Sequence, residues 1–380
     1  MNDFDSSKHF FSEAAVAPLG VISLEGAADL GNKIHNHLVT WANESDFNQK
    51  YFAVESECPR FSSGDGKGII KSSIRGTDLF IIADVGNYSC SYNMFGENNH
   101  MSPDDHFQDL KRIIQAASGK AHRISVVMPM LYGSRQHRRN YRESLDCAVA
   151  LQELQNMGII NVITFDTHDP RVQNAVPYMG FDNVMPTYQV LKSLISSIPD
   201  IRPDSDNFMI ISPDEGALHR NMYYASVLGV NMGMFYKRRD YSTLVNGRNP
   251  IVAHEYLGES VVGKDIFIAD DIISSGESML DIAYELKEQK AGKIFAYATY
   301  GIFTNGFDAF DKAYNDGIID GIFSSNLTYV PDELKSRKWY YEVDCSKYAA
   351  YFIAAINRDM SISEIVNPHE KIKNLLAKLN

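Results

Sequence analysis

Five short apolar runs, spread along 380 residues and each closing on an acid or a proline, constrain this chain more than any other feature. They are Leu79-Phe-Ile-Ile-Ala-Asp84, Ile124-Ser-Val-Val-Met-Pro129, Asn161-Val-Ile-Thr-Phe-Asp166, Phe208-Met-Ile-Ile-Ser-Pro213 and Asp265-Ile-Phe-Ile-Ala-Asp270. Runs of this length and composition read as buried strands. Helical patterns fill the gaps, as in Ala148-Val-Ala-Leu-Gln-Glu-Leu-Gln-Asn156. The alternation predicts doubly wound α/β domains, whose ligands sit outside the carboxyl ends of the strands. Most of the conspicuous polar motifs fall at those ends. The plan occurs twice. It predicts one domain over residues 1–180, a second over 181–345, and a C-terminal helical segment over 346–380 packing back on the first. The chain is long enough for two cores.

Composition narrows the function. A net charge of -12 argues against nucleic acid and anionic membrane as general partners. No apolar run is long enough to span a bilayer. The start, Met1-Asn-Asp-Phe-Asp, lacks the layout of a secretory signal. Cys58, Cys90, Cys147 and Cys345 form no Cys-x-x-Cys pair, which predicts reduced thiols in a cytoplasmic protein without a zinc site.

The richest segment is Phe267-Ile-Ala-Asp-Asp-Ile-Ile-Ser-Ser-Gly-Glu-Ser278. It reads as an apolar strand ending in two carboxylates, then a hydroxyl-rich turn, then a helix with Met279, Ile282, Ala283 and Leu286 on one face. Amides at a helix start attract phosphate. Asp270 and Asp271 can accept from vicinal sugar hydroxyls or hold a divalent cation. Together these groups suit a phosphorylated ribose, although an acid pair alone also serves as a plain helix cap.

Other strand ends carry further groups. Tyr132-Gly-Ser-Arg-Gln-His-Arg-Arg139 places three arginines and a glutamine in one loop, a set that suits phosphate or a purine but also fits a solvated turn. His168 lies between acids in Phe165-Asp-Thr-His-Asp-Pro170 and is a candidate for Mg²⁺ or a nucleotide. In Ser212-Pro-Asp-Glu-Gly-Ala-Leu-His-Arg220, Asp214 is placed either to meet a phosphate-bridging cation or to cap a helix. Phe235-Tyr-Lys-Arg-Arg-Asp240 opens a long polar stretch, Asp240 to Gly263, read as a lid over phosphate charge. There is no G-x-x-x-x-G-K-[ST], G-x-S-x-G or H-E-x-x-H, and no G-x-G-x-x-G follows a strand.

Taken in order, these motifs resemble the ribose-phosphate pyrophosphokinase (phosphoribosyl pyrophosphate synthetase) family, as a divergent member, from about residue 18 to about 366. Phe61-Ser-Ser-Gly-Asp65 is similar to its Phe-Ser-Asp-Gly-Glu segment, and Arg135-Gln-His-Arg138 to its Arg-Gln-Asp-Arg loop. Asp166-Thr-His168, Ser212-Pro-Asp214 with Arg220, Lys237-Arg-Arg239 and Asp270-Asp271 with Ser275-Gly276 follow suit. The resemblance implies two phosphoribosyltransferase-like domains and transfer of the diphosphoryl group of ATP to O1 of ribose 5-phosphate. It implies Mg²⁺ near His168 and Asp214, with Lys237, Arg239 and His168 acting on the reacting phosphates. Phe61, Asp65, Arg135, Gln136 and His168 would hold ATP, and Asp214 and Arg220 would form the pyrophosphate loop. Asp270, Asp271, Ser274, Ser275, Gly276 and Ser278 would hold ribose 5-phosphate. Family members are homo-oligomers with sites shared between subunits, so Phe61 is expected to serve a neighbour's site.

Several positions depart from the family. Ser63 and Asp65 replace an Asp and a Glu, His137 an Asp, Ala217 a Gly, Ser274 an acid, Tyr300 a His, and Glu277 a Gly inside the phosphate turn. An unpaired, desolvated carboxylate at 277 would repel a phosphate by a few kcal/mol. These departures motivate a second reading, a non-catalytic nucleotide-binding or regulatory paralogue. A phosphoribosyltransferase ranks third, because it needs neither the Arg-Gln loop nor the Lys-Arg-Arg segment.

Overall fold

The computed structural model describes residues 13–45, 49, 51–239 and 251–379, with only the backbone of 237–239 and 251–254. In chain order the elements begin β1 (Leu19–Ser23), α1 (Ala28–Asn43), β2 (Ser56–Glu57), β3 (Ile69–Ile70), β4 (Asp78–Ile82), β5 (Ser91–Met94), β6 (Glu97–His100) and α2 (Pro103–Ala117). Next come β7 (Arg123–Val127), α3 (Asp146–Asn156), β8 (Asn161–Phe165), β9 (Gly180–Val184), α4 (Thr187–Ser197), β10 (Phe208–Ser212), α5 (Leu218–Leu228), β11 (Asn231–Arg239), β12 (Ile251–Leu257) and β13 (Asp265–Ile273). The rest are α6 (Glu277–Glu288), β14 (Ile294–Gly301), α7 (Asp308–Asn315), β15 (Gly321–Ser325), α8 (Asp332–Lys335), β16 (Tyr340–Val343), α9 (Ser346–Ile356), α10 (Ser363–Val366) and α11 (His369–Leu376).

The chain divides into two compact units. The first comprises Met1–Pro186, Asn326–Tyr329 and Asp344–Asn367. Its main sheet has the order β1-β4-β7-β8-β9, every pairing parallel. Parallel strands are covered on both faces, and β4 and β8 are buried at every position. Helix α2 covers one face with Phe107, Leu110, Ile113, Ile114 and Ala117, and its start is well specified. Ser102 and Asp105 form a capping box and Pro103 sits in the first turn. The late segment Asp344–Asn367 belongs to this unit for a polar reason as well as an apolar one, whereas Pro368–Asn380 falls in the second. Arg123 donates twice to the fully buried Asp78, at 2.8 and 2.9 Å, and also binds Asp359. Asn357 donates to Asp78 and to the Ala17 carbonyl. Trp41 of α1 stacks on Tyr351 of α9 at 4.7 Å.

The second unit comprises Thr187–Ser325, Val330–Val343 and Pro368–Asn380. Its seven-stranded sheet runs β12-β11-β10-β13-β14-β15-β16, parallel except for β12 on β11. The five apolar runs are therefore β4, β7, β8, β10 and the first part of β13. Met279, Ile282, Ala283 and Leu286 are the buried face of α6, as their spacing predicts.

Two sequence expectations need correction. The acid pair does not terminate its strand. β13 continues to Ile273, with Asp270 paired to Ala298 and Ile272 to Tyr300, because β14 runs far enough to bond it. The stretch from Asp240 to Gly263 is not all loop. Residues 251–257 form β12, antiparallel to β11, so Lys237 and Arg239 lie within a strand opposite His254 and Ile251. Residues 240–250 lie outside the described residues.

Candidate active site

In the second unit, β13 sets the site from the backbone. Asp271 is 6% exposed and its amide donates to Asp270 Oδ1 at 2.9 Å. Burial, and then the neighbouring Asp271 charge, push the Asp270 carboxyl well above the usual range, partly offset by Arg220 at 3.5 Å. Asn221, fully buried on α5, holds this point in place. It donates to the Ala269 and Ala217 carbonyls at 2.8 Å, and its Oδ1 accepts from the Ala269 amide. Sequence reasoning missed Asn221. The available signal was an amide among Tyr224, Ala225 and Leu228 on a buried helix face.

The turn after β13 leads into an open helix start. Thr304 donates its amide to the Ser274 carbonyl at 2.8 Å, fixing the turn. Gly276 sits at φ 85°, and a Cβ there would lie 2.2 Å from Phe310 Cζ. Glycine is thus required both for backbone conformation and for space. No side chain caps α6, and Ser278 is exposed in its first turn. Ser275 Oγ accepts only a long bond, 3.5 Å, from the Glu277 amide. A helix start with uncapped amides and adjacent hydroxyls has the donors an anion would need. Glu277 is exposed, and its Oε1 accepts from Asn305 Nδ2 at 3.2 Å. It is therefore neither desolvated nor without a hydrogen-bond partner, and its penalty on a phosphate is screened.

Asp214 serves the next strand end. Its Oδ1 accepts the amides of Gly216 and Ala217 at 2.9 and 3.2 Å, so it organises the turn into α5. Lys237 and Arg239 are placed only by backbone register. Ser212 pairs with Met234 and Ile211 with Ile268, which puts Lys237 level with about Ile272, beyond the carboxyl end of β10. It is two strands from β13, roughly 10 Å along the sheet, on the edge that carries Asp270 and Asp271.

In the first unit the candidate groups hang on loops. Gln136 donates Nε2 to the Ser144 carbonyl at 2.9 Å, beside the exposed Arg135. Tyr132 stacks on Phe107 at 4.3 Å and donates its hydroxyl to Asp104, which pushes the phenol up to about 12. After β8, Asp166 adopts φ 42° and the Thr167 amide donates to Asn183 Oδ1 at 3.0 Å. This bend exposes His168 and puts its ring 5.3 Å from that of His137. His137 Nε2 is 3.5 Å from Asp169, which Arg171 holds down to about 2. Burial lowers the His137 pKa. Phe61 and Asp65 occupy a separate turn closed by the Phe61 amide on the Asp65 carbonyl at 2.7 Å. Ser63 donates to Asp65 Oδ2 at 2.8 Å, Phe61 is 57% exposed, and the turn leans on the β5–β6 hairpin.

Among the described residues no three His, Cys, Asp or Glu side chains converge on a metal position. His168 belongs to the first unit and Asp214 to the second. A donor set this sparse does not suit an all-protein cage. A divalent cation carried on phosphates needs few protein ligands, because it keeps several waters.

These features define a phosphoribosyltransferase-type α/β protein: parallel sheets, an acid pair, and a glycine turn into an uncapped helix. Comparison with known proteins agrees. Residues 19–158 match the N-terminal domain of ribose phosphate pyrophosphokinase, and residues 183–306 match a phosphoribosyl transferase domain. Ribose-phosphate pyrophosphokinase from Vibrio parahaemolyticus is 27% identical over 317 residues, covering 82% of this chain and 91% of that one. The Shewanella oneidensis protein of the same name is 28% identical over 308 residues, covering 80% and 88%. The crystal structure of phosphoribosylpyrophosphate synthetase from Mycobacterium smegmatis matches the fold with a TM-score of 0.69 at 19% identity, covering 90% of this chain and 99% of that one. The chain belongs to the ribose-phosphate pyrophosphokinase family. Among the described residues, no helix is long and apolar enough to cross a membrane.

Proposed function

We propose that this protein transfers the diphosphoryl group of ATP to O1 of ribose 5-phosphate, giving phosphoribosyl pyrophosphate and AMP. One observation carries the reading: Asp270 and Asp271 sit in β13, three residues ahead of a turn whose Gly276 opens an uncapped helix. The spacing suits a molecule with vicinal hydroxyls at one end and a phosphate at the other. Asp270 and Asp271 would accept from the ribose hydroxyls. Ser274, Ser275, Gly276 and Ser278 would donate to the 5-phosphate. Arg135 and Gln136, with Phe61 and Asp65 from a neighbouring copy of the chain, would hold the nucleotide. Attack by O1 at the β-phosphorus moves charge onto the bridging oxygen and AMP leaves, so the main task is positioning and charge stabilisation. Lys237 and Arg239 supply that positive charge, with Arg220 beside the pyrophosphate. Mg²⁺, when bound on the phosphates near His168 and Asp214, would neutralise part of their charge. The Glu277–Asn305 hydrogen bond favours this reading over a non-catalytic paralogue, because the carboxylate has a hydrogen-bonding partner outside the phosphate turn.

The test is incubation of the full chain with ATP, Mg²⁺ and ribose 5-phosphate. AMP should form in step with ribose 5-phosphate consumption, and Lys237→Ala should slow it by about 100-fold or more. AMP release no faster than in that variant overturns the proposal.

A further inference from the structure

The first unit contains a cavity of about 430 Å³ that shares no residue with the site proposed above. It opens at the carboxyl end of β1, where Ser23 leads into a short 3-10 helix, Glu25–Ala27. Leu24, Met101 and Pro59 give it apolar walls, and Glu25, Cys58 and His106 give it polar ones. The volume is that of a small-molecule site.

His106 decides what such a molecule must offer. The residue is only 3% exposed, and its Nε2 lies 2.7 Å from the Asn87 carbonyl oxygen. A carbonyl can only accept, so Nε2 carries the hydrogen and the neutral ring leaves a lone pair on Nδ1. Asn87 is itself held, donating to the Gly26 carbonyl at 2.8 Å and accepting from Ser89. Nδ1 has no hydrogen-bond partner among the described residues. It runs along Gly26, where a Cβ would lie 3.0 Å from Nδ1 and 2.8 Å from Cε1, so glycine leaves that edge of the ring open. Burial lowers the His106 pKa, in keeping with a neutral ring.

The charges point the same way. Of the carboxylates lining the cavity, Asp109 is neutralised by Arg60 at 2.8 Å and Arg112 at 2.7 Å. Glu57 is paired with Lys71 at 2.7 Å. Glu25 has no ion pair among the described residues, and its charge acts on His106, Cys58 and Cys90. An accessible ring acceptor and the exposed Glu25 carboxylate at the cavity rim both disfavour anions. An ammonium or amidinium group suits both, as an N–H donor to the ring nitrogen and a countercharge to the carboxylate.

We infer that this cavity is a binding site for a small organic cation, held between Glu25 and the Nδ1 of His106. Calorimetry on the full chain with putrescine, butane-1,4-diol and succinate compares a cation, a neutral molecule and an anion of equal length. Putrescine should bind once per chain and slow alkylation of Cys58 by iodoacetamide, while the diol and succinate do neither. Glu25→Gln, a folded variant by its unchanged melting point, should weaken putrescine by about tenfold or more. Glu57→Gln should change it by less than about twofold, which separates a site from the general acidity of the chain. No putrescine binding, equal binding of the diol, or equal losses in the two variants would overturn the inference. None of these results depends on whether the chain turns over ATP.

Discussion

The acid–serine–glycine segment of the second unit and the arginine–histidine loops of the first are built on opposite principles. In the second unit the acids, serines and glycine belong to a continuous strand and a helix start. Their positions follow from ladder pairing, from Asn221 on the Ala269 backbone and from the glycine turn. In the first unit, Arg135, Gln136 and His168 project from loops outside any strand or helix, tied down in part by side-chain bonds, Gln136 to Ser144, Tyr132 to Asp104 and the Thr167 amide to Asn183. The first arrangement resists side-chain changes and fails when the backbone is disturbed. The second should lose function in small steps.

The strongest way to break that contrast is Gly276→Ala. The new methyl would meet Phe310 at 2.2 Å in a left-handed conformation. We expect a loss of about 2–4 kcal/mol in stability and a loss of ribose 5-phosphate affinity of about 100-fold or more by calorimetry. Affinity within a few-fold of the parent would show that the turn is not set by its backbone.

Each unit also holds a carboxyl with a raised pKa, and comparing them sharpens the difference. In the first unit burial pushes Asp84 up to about 7 even though it accepts from the Gly86 amide, the Thr328 hydroxyl and the Tyr329 amide. Its folded pKa lies above the unfolded value of 3.8, so the folded state binds the extra proton between the two. Stability should therefore be greatest below about pH 4 with respect to this group, and fall as pH rises to about 7, by a few kcal/mol at most. Denaturant melts of Asp84→Asn across that range should show the slope flattened. An unchanged slope would assign it elsewhere.

Asn221→Ala comes next. It strips hydrogen bonds from both the amide and the carbonyl of Ala269, with an expected cost of about 2–3 kcal/mol. Ribose 5-phosphate binding should weaken while ATP binding holds; equal losses in both would mean that Asn221 supports the whole chain rather than β13. The smallest expected effect is Gln136→Ala, about 1 kcal/mol in stability and a several-fold rise in KM for ATP without a matching change for ribose 5-phosphate. A loss as large as that of Gly276→Ala would erase the distinction between the two regions.

The same contrast explains what could be read from the sequence. Apolar runs and helix spacing reveal strands and α6, because burial on both faces leaves a local mark. The segment around Asp270 and Gly276 stands out in the sequence because its acids, hydroxyls and glycine are consecutive residues. The continuation of β13 to Ile273 and the existence of β12 were not, since both depend on a neighbouring strand to supply hydrogen bonds. Asn221, Asn183 and Asn305 act at sequence separations of 48, 16 and 28 on Ala269, Thr167 and Glu277, and nothing local marks them. His137 stands out as a departure from the family's loop, but its approach to His168 and Asp169 is a property of the folded bend at Asp166.

Phosphorus NMR of the reaction of ATP with ribose 5-phosphate shows which phosphorus is attacked. We expect AMP together with a sugar carrying a diphosphate on C1. ADP with a singly phosphorylated C1, or ATP left intact beside unchanged ribose 5-phosphate, would contradict it.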